Sequence, residues 1–316
     1  MNFSDRGERL MLSFLPGPVL GCLSFLMYVV NTLLWTTPIF AIAFLKLLIP
    51  IKSWRILCNR SMNFLAVNWI SCNGFNQRLT SKTHWNIQGV EGLSLNEKYL
   101  VLSNHQSWVD VLVLQRVFNY KIPFLMFFVK QELIWMPVLG LVWWAMDYPF
   151  VKRYTREFLE KNPHLRGQDI ETTRKACEKY RFIPVSIANF VEGTRFTVKK
   201  HLKQNSPYKN LLKPRAGGIS FALSAMGDQF HRILNVTIVY PEGIKTFWEF
   251  LCGKVSEIRV HVEDIPISKE LSGDYENIEF RKQFQDWLNA LWKEKDMRIE
   301  SMRHDAESGV ADGTRP

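Results

Sequence analysis

The chain has 316 residues, with 40 Lys and Arg against 30 Asp and Glu for a net charge of +10, and 47% of it is hydrophobic. That length and apolar content can bury the core of one large domain or two small ones, and 14 Pro and 17 Gly are too few for a disordered or collagenous polymer. Cys22, Cys58, Cys72, Cys177 and Cys252 are widely spaced and form no C-x-x-C pair, so neither a zinc site nor a disulfide framework is indicated and the main domain is expected in a reducing compartment.

From Leu10 to Leu45 there are 36 residues without a charge. A bilayer core is crossed by roughly 20 apolar helical residues. Residues 1–60 are therefore expected to form a membrane-embedded helical anchor, either one long tilted span or two shorter helices broken at Pro38. The stretch is too long for a cleaved signal peptide and lacks a clear small-residue cleavage site. Lys46, Lys52, Arg55 and Arg60 form a basic flank after it, while Arg6 and Arg9 are partly offset by Asp5 and Glu8. The positive-inside bias then predicts a cytoplasmic carboxyl side.

Residues 61–302 are expected to fold as an α/β domain, a mostly parallel central sheet flanked by helices. The predicted strands are His84–Ile87, Tyr99–Ser103, Phe124–Val129, Ile183–Asn189, Ile233–Val239 and Val255–Val262. Helices are predicted over Val109–Phe118, Gln168–Tyr180 and Ala216–Met226, and a last one over Tyr275–Ile299, where Ile278, Phe284, Trp287, Leu288, Leu291 and Trp292 share an apolar face. The apolar stretch Leu133–Met146 is short for a span. It reads either as a buried helix and strand or as a surface on which Trp135, Trp143 and Trp144 rest at headgroup level. The polar tail, residues 303–316, is expected to be disordered.

After the Tyr99–Ser103 strand come Asn104, His105, Gln106, Ser107, Trp108, Val109 and Asp110. If Ser107 caps the following helix and Asp110 is its third residue, His105 lies beside Asp110. A carboxylate that fixes the imidazole tautomer makes a general base. The same spacing also describes a plain capping box with a polar loop histidine. No G-x-S-x-G elbow supports a nucleophilic serine, and H-x-x-x-x-D lacks the spacing and companion histidines of a metal site. Further on, the apolar run 183–191 leads into Glu192, Gly193, Thr194 and Arg195. There glycine permits close backbone approach and arginine suits a phosphate. Read alone, this is an ordinary charged turn after a strand. Residues 141–215 hold 16 Lys or Arg against 7 Asp or Glu, nearly the whole net charge.

N-H-x-x-x-x-D at 104–110 followed about 80 residues later by F-V-E-G-T-R at 190–195 resembles the glycerolipid acyltransferase superfamily that includes 1-acylglycerol-3-phosphate acyltransferase. The resemblance covers roughly residues 80–245. It implies that His105 and Asp110 are catalytic, and that Glu192, Gly193, Thr194 and Arg195 bind the acceptor's phosphate. Arg153, closing Phe150-Val151-Lys152-Arg153, stands at a further acceptor-binding block, and Lys130 is a candidate phosphate or headgroup contact. Val191 stands where the family often has proline, and Pro241 resembles its late proline. The implied reaction is transfer of an acyl chain from acyl-coenzyme A or acyl-carrier protein to a lysophospholipid at a bilayer, without metal or further cofactor. The implied location is a bacterial inner (cytoplasmic) membrane with the catalytic domain facing the cytoplasm. Lys199, Lys200, Lys203, Lys209, Lys213 and Arg215 read as a solvated basic surface facing the membrane. A non-catalytic, membrane-tethered lipid-binding module would need no role for His105. Nucleic-acid binding lacks any recognition motif.

Overall fold

The computed structural model describes residues 12, 14–148, 150–151, 185–226, 229–268, 271, 273 and 277–311. Two long helices come first, α1 (Gly17–Leu48) and α2 (Lys52–Thr80). α1 is a single helix with Pro38 inside it, so Pro38 is not a break. By length and composition it could cross a membrane. Thr36 and Thr37 hydroxyls donate to the Leu33 carbonyl, one residue before the Leu34 carbonyl that the proline leaves without its helical donor. The expected boundary between residues 60 and 61 falls inside α2.

α2 has no counterpart in the sequence reading, because its inward face turns from apolar, at Met62, Ala66 and Ile70, to polar, at Asn73, Asn76 and Gln77. Asn31 donates to Asn73 Oδ1 at 2.8 Å and to the Trp69 carbonyl at 3.0 Å, Asn76 donates to the Ser24 carbonyl at 3.1 Å, and Gln77 donates to the Tyr28 hydroxyl at 3.0 Å. Side-chain amides of this kind hold two helices together in an apolar setting. Lys46, read as the first residue of the basic flank, is buried and paired with Asp147.

The α/β body follows, and its fold class is the expected one. Its elements are β1 (His84–Gln88), β2 (Tyr99–Ser103), α3 (Val109–Phe118), β3 (Phe124–Phe127), β4 (Val129–Lys130), α4 (Leu139–Ala145), β5 (Phe150–Val151), β6 (Val185–Phe190), α5 (Val198–Gln204), α6 (Ala216–Met226), β7 (Arg232–Val239), α7 (Phe247–Leu251), β8 (Glu257–Pro266) and α8 (Ile278–Ala311). The main sheet has the order β1-β8-β7-β2-β6-β3. All its pairings are parallel except β7 with β8. β2 is buried at every residue, as a central strand covered on both faces must be, whereas β8 alternates over its first seven residues. One apolar layer packs α3 and α7 on the sheet, and the other packs α1, α2, α4, α6 and α8 on the opposite face.

Three expectations change here. The strand expected over Phe124–Val129 divides: β3 joins the main sheet, while β4 pairs with β5 in a small second sheet. Leu133–Met146 holds a 3-10 turn (Gln131–Trp135) and α4 but no strand. Trp135 is 87% exposed and Trp144 is also exposed, while Trp143 packs against the core. The tail is helical through Ala311, since Arg303 bonds Asn210 and lies 3.9 Å from Glu300, ties that carry α8 past the expected end. The predicted helix Gln168–Tyr180 lies outside the described residues.

Candidate active site

Because β2, β3, β6 and β7 run parallel, their carboxyl ends share one edge of the sheet, the edge at which open α/β sheets bind ligands. His105 follows β2, Glu192 to Arg195 follow β6, and Tyr240 follows β7. The loop after β2 is fixed by Asn104, whose amide donates to the Ile238 carbonyl and accepts from the Ile238 N–H, both at 2.9 Å. In effect a side chain continues the β2–β7 ladder for one more residue.

His105 Nδ1 lies 2.8 Å from Asp110 Oδ2. The carboxylate is fully buried, and Oδ2 also accepts from the backbone N–H of Gln106 at 2.5 Å and of Ser107 at 2.8 Å. Oδ1 accepts from the Tyr240 hydroxyl at 2.6 Å. A carboxylate can only accept, so Nδ1 carries the imidazole proton and Nε2 keeps its lone pair. Burial and the Asp110 charge both push the Tyr240 phenol well above its ordinary range, which keeps it a donor. Phe190 stacks on the imidazole with centroids 3.9 Å apart and planes 14° apart.

The helix cap differs from expectation. Ser107 Oγ accepts from Val109 N at 3.3 Å and donates to the Lys245 carbonyl, so it does not cap Asp110 N. The loop amides, whose position beside His105 would suit an oxyanion, are engaged by carboxylates. Gln106 N and Ser107 N serve Asp110, and His105 N donates to Glu192 Oε1 at 3.1 Å.

Glu192 is therefore a correction. Implied as a phosphate contact, it is fully buried, and its other oxygen accepts from Leu212 N at 3.1 Å. With both oxygens turned inward to backbone donors, Glu192 braces the histidine loop and does not reach the cavity. Burial pushes its carboxyl up to about 8 against the backbone donors and the attraction of Lys295, which oppose the rise. Lys295, from α8, is fully buried beneath the sheet, its ammonium donating to the Val236 and Leu102 carbonyls, and burial pushes it down to about 7.

Gly193 takes φ +69°, a turn suited to glycine. Val191, in place of proline, donates its N–H to the Ser103 carbonyl at 3.2 Å, a bond proline could not make. Arg195 lies over the Trp108 ring at 4.6 Å. Lys200 is no free surface charge: its ammonium donates to Thr194 Oγ1 at 2.7 Å and to the Arg195 carbonyl at 3.0 Å.

A cavity of about 810 Å³ opens beside His105. Tyr28, Trp35 and Ile39 of α1 form one wall, and Leu133, Met136, Leu139, Val142 and Met146 form another, so the anchor and the second apolar stretch both contribute. Phe124, Phe127 and Phe190 supply the sheet edge, while Gly193, Thr194, Arg195 and Lys130 line the polar part. Asn189 also lines it, buried, with its Nδ2 unpartnered. Arg153 lies outside the described residues. Sequence reading missed Tyr240 and Asn104, whose one available signal was their position beside Pro241 and His105.

A family model described as Acyltransferase matches residues 84–246, just over half of the chain. The 1-acyl-sn-glycerol-3-phosphate acyltransferase 3 of Arabidopsis thaliana is 27% identical over 220 residues, 65% of this chain and 53% of that protein. The 1-acyl-sn-glycerol-3-phosphate acyltransferase delta of Mus musculus is 26% identical over 216 residues, 63% and 52%. The chain spans about half the length of these curated relatives. The crystal structure of the 1-acyl-sn-glycerophosphate (LPA) acyltransferase PlsC from Thermotoga maritima is similar over 90% of this chain and 97% of that one, with a TM-score of 0.44 and 13% identity. The matched segment contains His105, Asp110 and the loop from Glu192 to Arg195, and the chain belongs to the Acyltransferase family.

Proposed function

We propose that the protein transfers a fatty acyl group from an acyl thioester to the free hydroxyl of a lysophospholipid, foremost 1-acylglycerol-3-phosphate, to give phosphatidic acid. The observation that carries this reading is the His105–Asp110 pair at the side of a large, mainly apolar cavity with Arg195 and Lys130 on its polar wall. His105 Nε2 takes the acceptor's hydroxyl proton as its oxygen attacks the thioester carbonyl. Asp110 stabilises the imidazolium that forms. The new C–O ester bond forms, the C–S bond breaks, and the leaving thiolate takes the proton from His105, so no acyl-enzyme is needed. Arg195 holds the acceptor phosphate, and the apolar walls take the acyl chains. Acyl-coenzyme A or acyl-carrier protein is the donor, with no metal or further cofactor.

The acceptor and product dissolve in a bilayer, and α1 supplies the membrane contact in this reading. Gly17 and Gly21 near one end of α1 approach Cys252, while Lys46 near the other pairs with Asp147. A helix of 32 residues is about 48 Å long and here touches the same body near both ends. This arrangement favours an α1 laid along the surface of one leaflet over one passing through it, with Phe25, Leu26, Val30, Leu33 and Leu34 toward lipid. The cytoplasmic leaflet of a bacterial inner membrane is the proposed location, which gives access to a cytosolic donor.

The test is product analysis by mass spectrometry with a panel of lysophospholipids and both donor types. Wild type is expected to make phosphatidic acid from lysophosphatidic acid, and His105→Ala to lose about 10² to 10⁴-fold of the rate. Free fatty acid as the sole product, or full activity in His105→Ala, refutes the reading.

A further inference from the structure

We infer that the outer face of α5 is the docking surface for an acidic protein that carries the acyl group as a thioester. This rests on the acyl-transfer reading above and goes beyond it by choosing where the donor lands. α5 has two unlike faces. Inward, Lys200 is tied to Thr194 and the Arg195 carbonyl, and the His201 ring contacts the Tyr208 carbonyl at 2.6 Å. Outward, Val198 is 68% exposed and Leu202 is 71% exposed, one helical turn apart. Lys199 and Lys203 flank them and are exposed. Exposed Lys213 joins the same rim, held where its N–H donates to Gln204 Oε1 at 3.1 Å. No Asp or Glu occurs between Gly193 and Gly227, so the sequence supplies this rim no local counter-charge.

A small apolar centre inside a one-signed charged rim is the anatomy of a protein interface, and its sign selects an acidic partner. The patch is close to the chemistry. Phe196, two residues before α5, donates its N–H to the His105 carbonyl at 2.7 Å, and the seven residues of α5 span only about 10 Å. A flexible thioester arm from a protein seated there reaches the cavity past Arg195. A lipid surface is the weaker match, because α5 offers only two exposed apolar side chains, whereas α1 presents a long apolar face for that purpose.

The experiment compares palmitoyl-acyl-carrier protein with palmitoyl-coenzyme A as donor for wild type, Leu202→Glu and the double variant Lys199→Glu/Lys203→Glu. Both variants are expected to raise KM for the carrier-bound donor by about 10-fold or more, since one carboxylate in the first and two in the second now face the acidic partner. With palmitoyl-coenzyme A, kcat/KM is expected to stay within about twofold, which also reports that the variants are folded. Equal losses with both donors, no change with the carrier-bound donor, or lost sedimentation with phosphatidylglycerol vesicles without donor discrimination would each overturn the docking surface. A wild type that uses palmitoyl-coenzyme A but not the carrier-bound donor overturns it too. A wild type that transfers from neither donor refutes the acyl-transfer reading itself.

Discussion

Replacing Tyr240 by Phe removes one oxygen atom from the buried network around Asp110 and tests whether that network tunes the base. In the structure Oδ2 has three donors, while Tyr240 is the donor to Oδ1, at 2.6 Å. Asp110 is fully buried, so water cannot replace the phenol. A hydrogen bond to a buried charge is worth about 1.5 to 3 kcal/mol, which corresponds to about 1 to 2 pH units. Losing it destabilises the ionised carboxylate relative to the protonated dyad. The acid limb of kcat/KM against pH for acyl transfer is therefore expected to move upward, by only part of that span because Asp110 stays ionised beside the imidazolium. Steady-state rates across the pH range check this, with a thermal melt of the same protein beside them. A lowered Tm with an unmoved acid limb would reduce Tyr240 to packing and refute the reasoning.

Glu192→Gln and Arg195→Ala separate bracing from binding. The first is expected to lower kcat by about 10 to 100-fold through a displaced His105 loop, with the lysophosphatidic acid KM unchanged. The second is expected to raise that KM by about 10-fold or more through the loss of a charge-assisted phosphate contact. Steady-state kinetics varying the acceptor distinguish them, and a raised acceptor KM in Glu192→Gln would restore the carboxylate to the binding site. Lys295→Met tests the buried cation. Its folded pKa, about 7 against the usual 10.5, means that the unfolded chain binds more protons between those values, so wild-type stability gains with rising pH there. The variant lacks that gain, and wild-type Tm minus variant Tm is expected to grow between about pH 7 and 10, measured by calorimetry; a constant difference would show the lysine unperturbed.

Much of the site was legible because its central pair is local. His105 and Asp110 are five residues apart across a strand-to-helix turn, and a short β-like run at 99–103 marked β2 as a strand. What joins this pair to the rest is distant in sequence. Tyr240 lies 130 residues from Asp110, and Glu192 lies 87 from His105, and neither separation leaves a periodic or spacing signal. A glutamate beside an arginine reads as part of one polar site. Only the chain path turns Glu192 inward to two backbone donors while Arg195 remains on the cavity wall. α2 was missed for a related reason. Asn73, Asn76 and Gln77 suggest an exposed face, but their partners are on α1, so polar side chains mark the packed side. Lys46 and Lys200 similarly read as surface charge until their partners are known.

The same accounting of donors limits the proposed chemistry. The three consecutive amides at His105, Gln106 and Ser107 would make a natural cradle for the oxyanion of an attacked thioester, yet each already donates to Asp110 or Glu192. Turning one toward substrate would leave a buried carboxylate short of a partner, at a cost of roughly 1 to 3 kcal/mol or more. The loop is thus committed to holding its histidine in one tautomer and one place. Stabilisation of the developing oxyanion must then come from other walls of the cavity, where Thr194, Arg195 and Lys130 lie. Base and oxyanion donors would consequently reside on different loops at the carboxyl edge of the sheet, and their separation would be fixed by the β2–β6 pairing that sets those loops side by side.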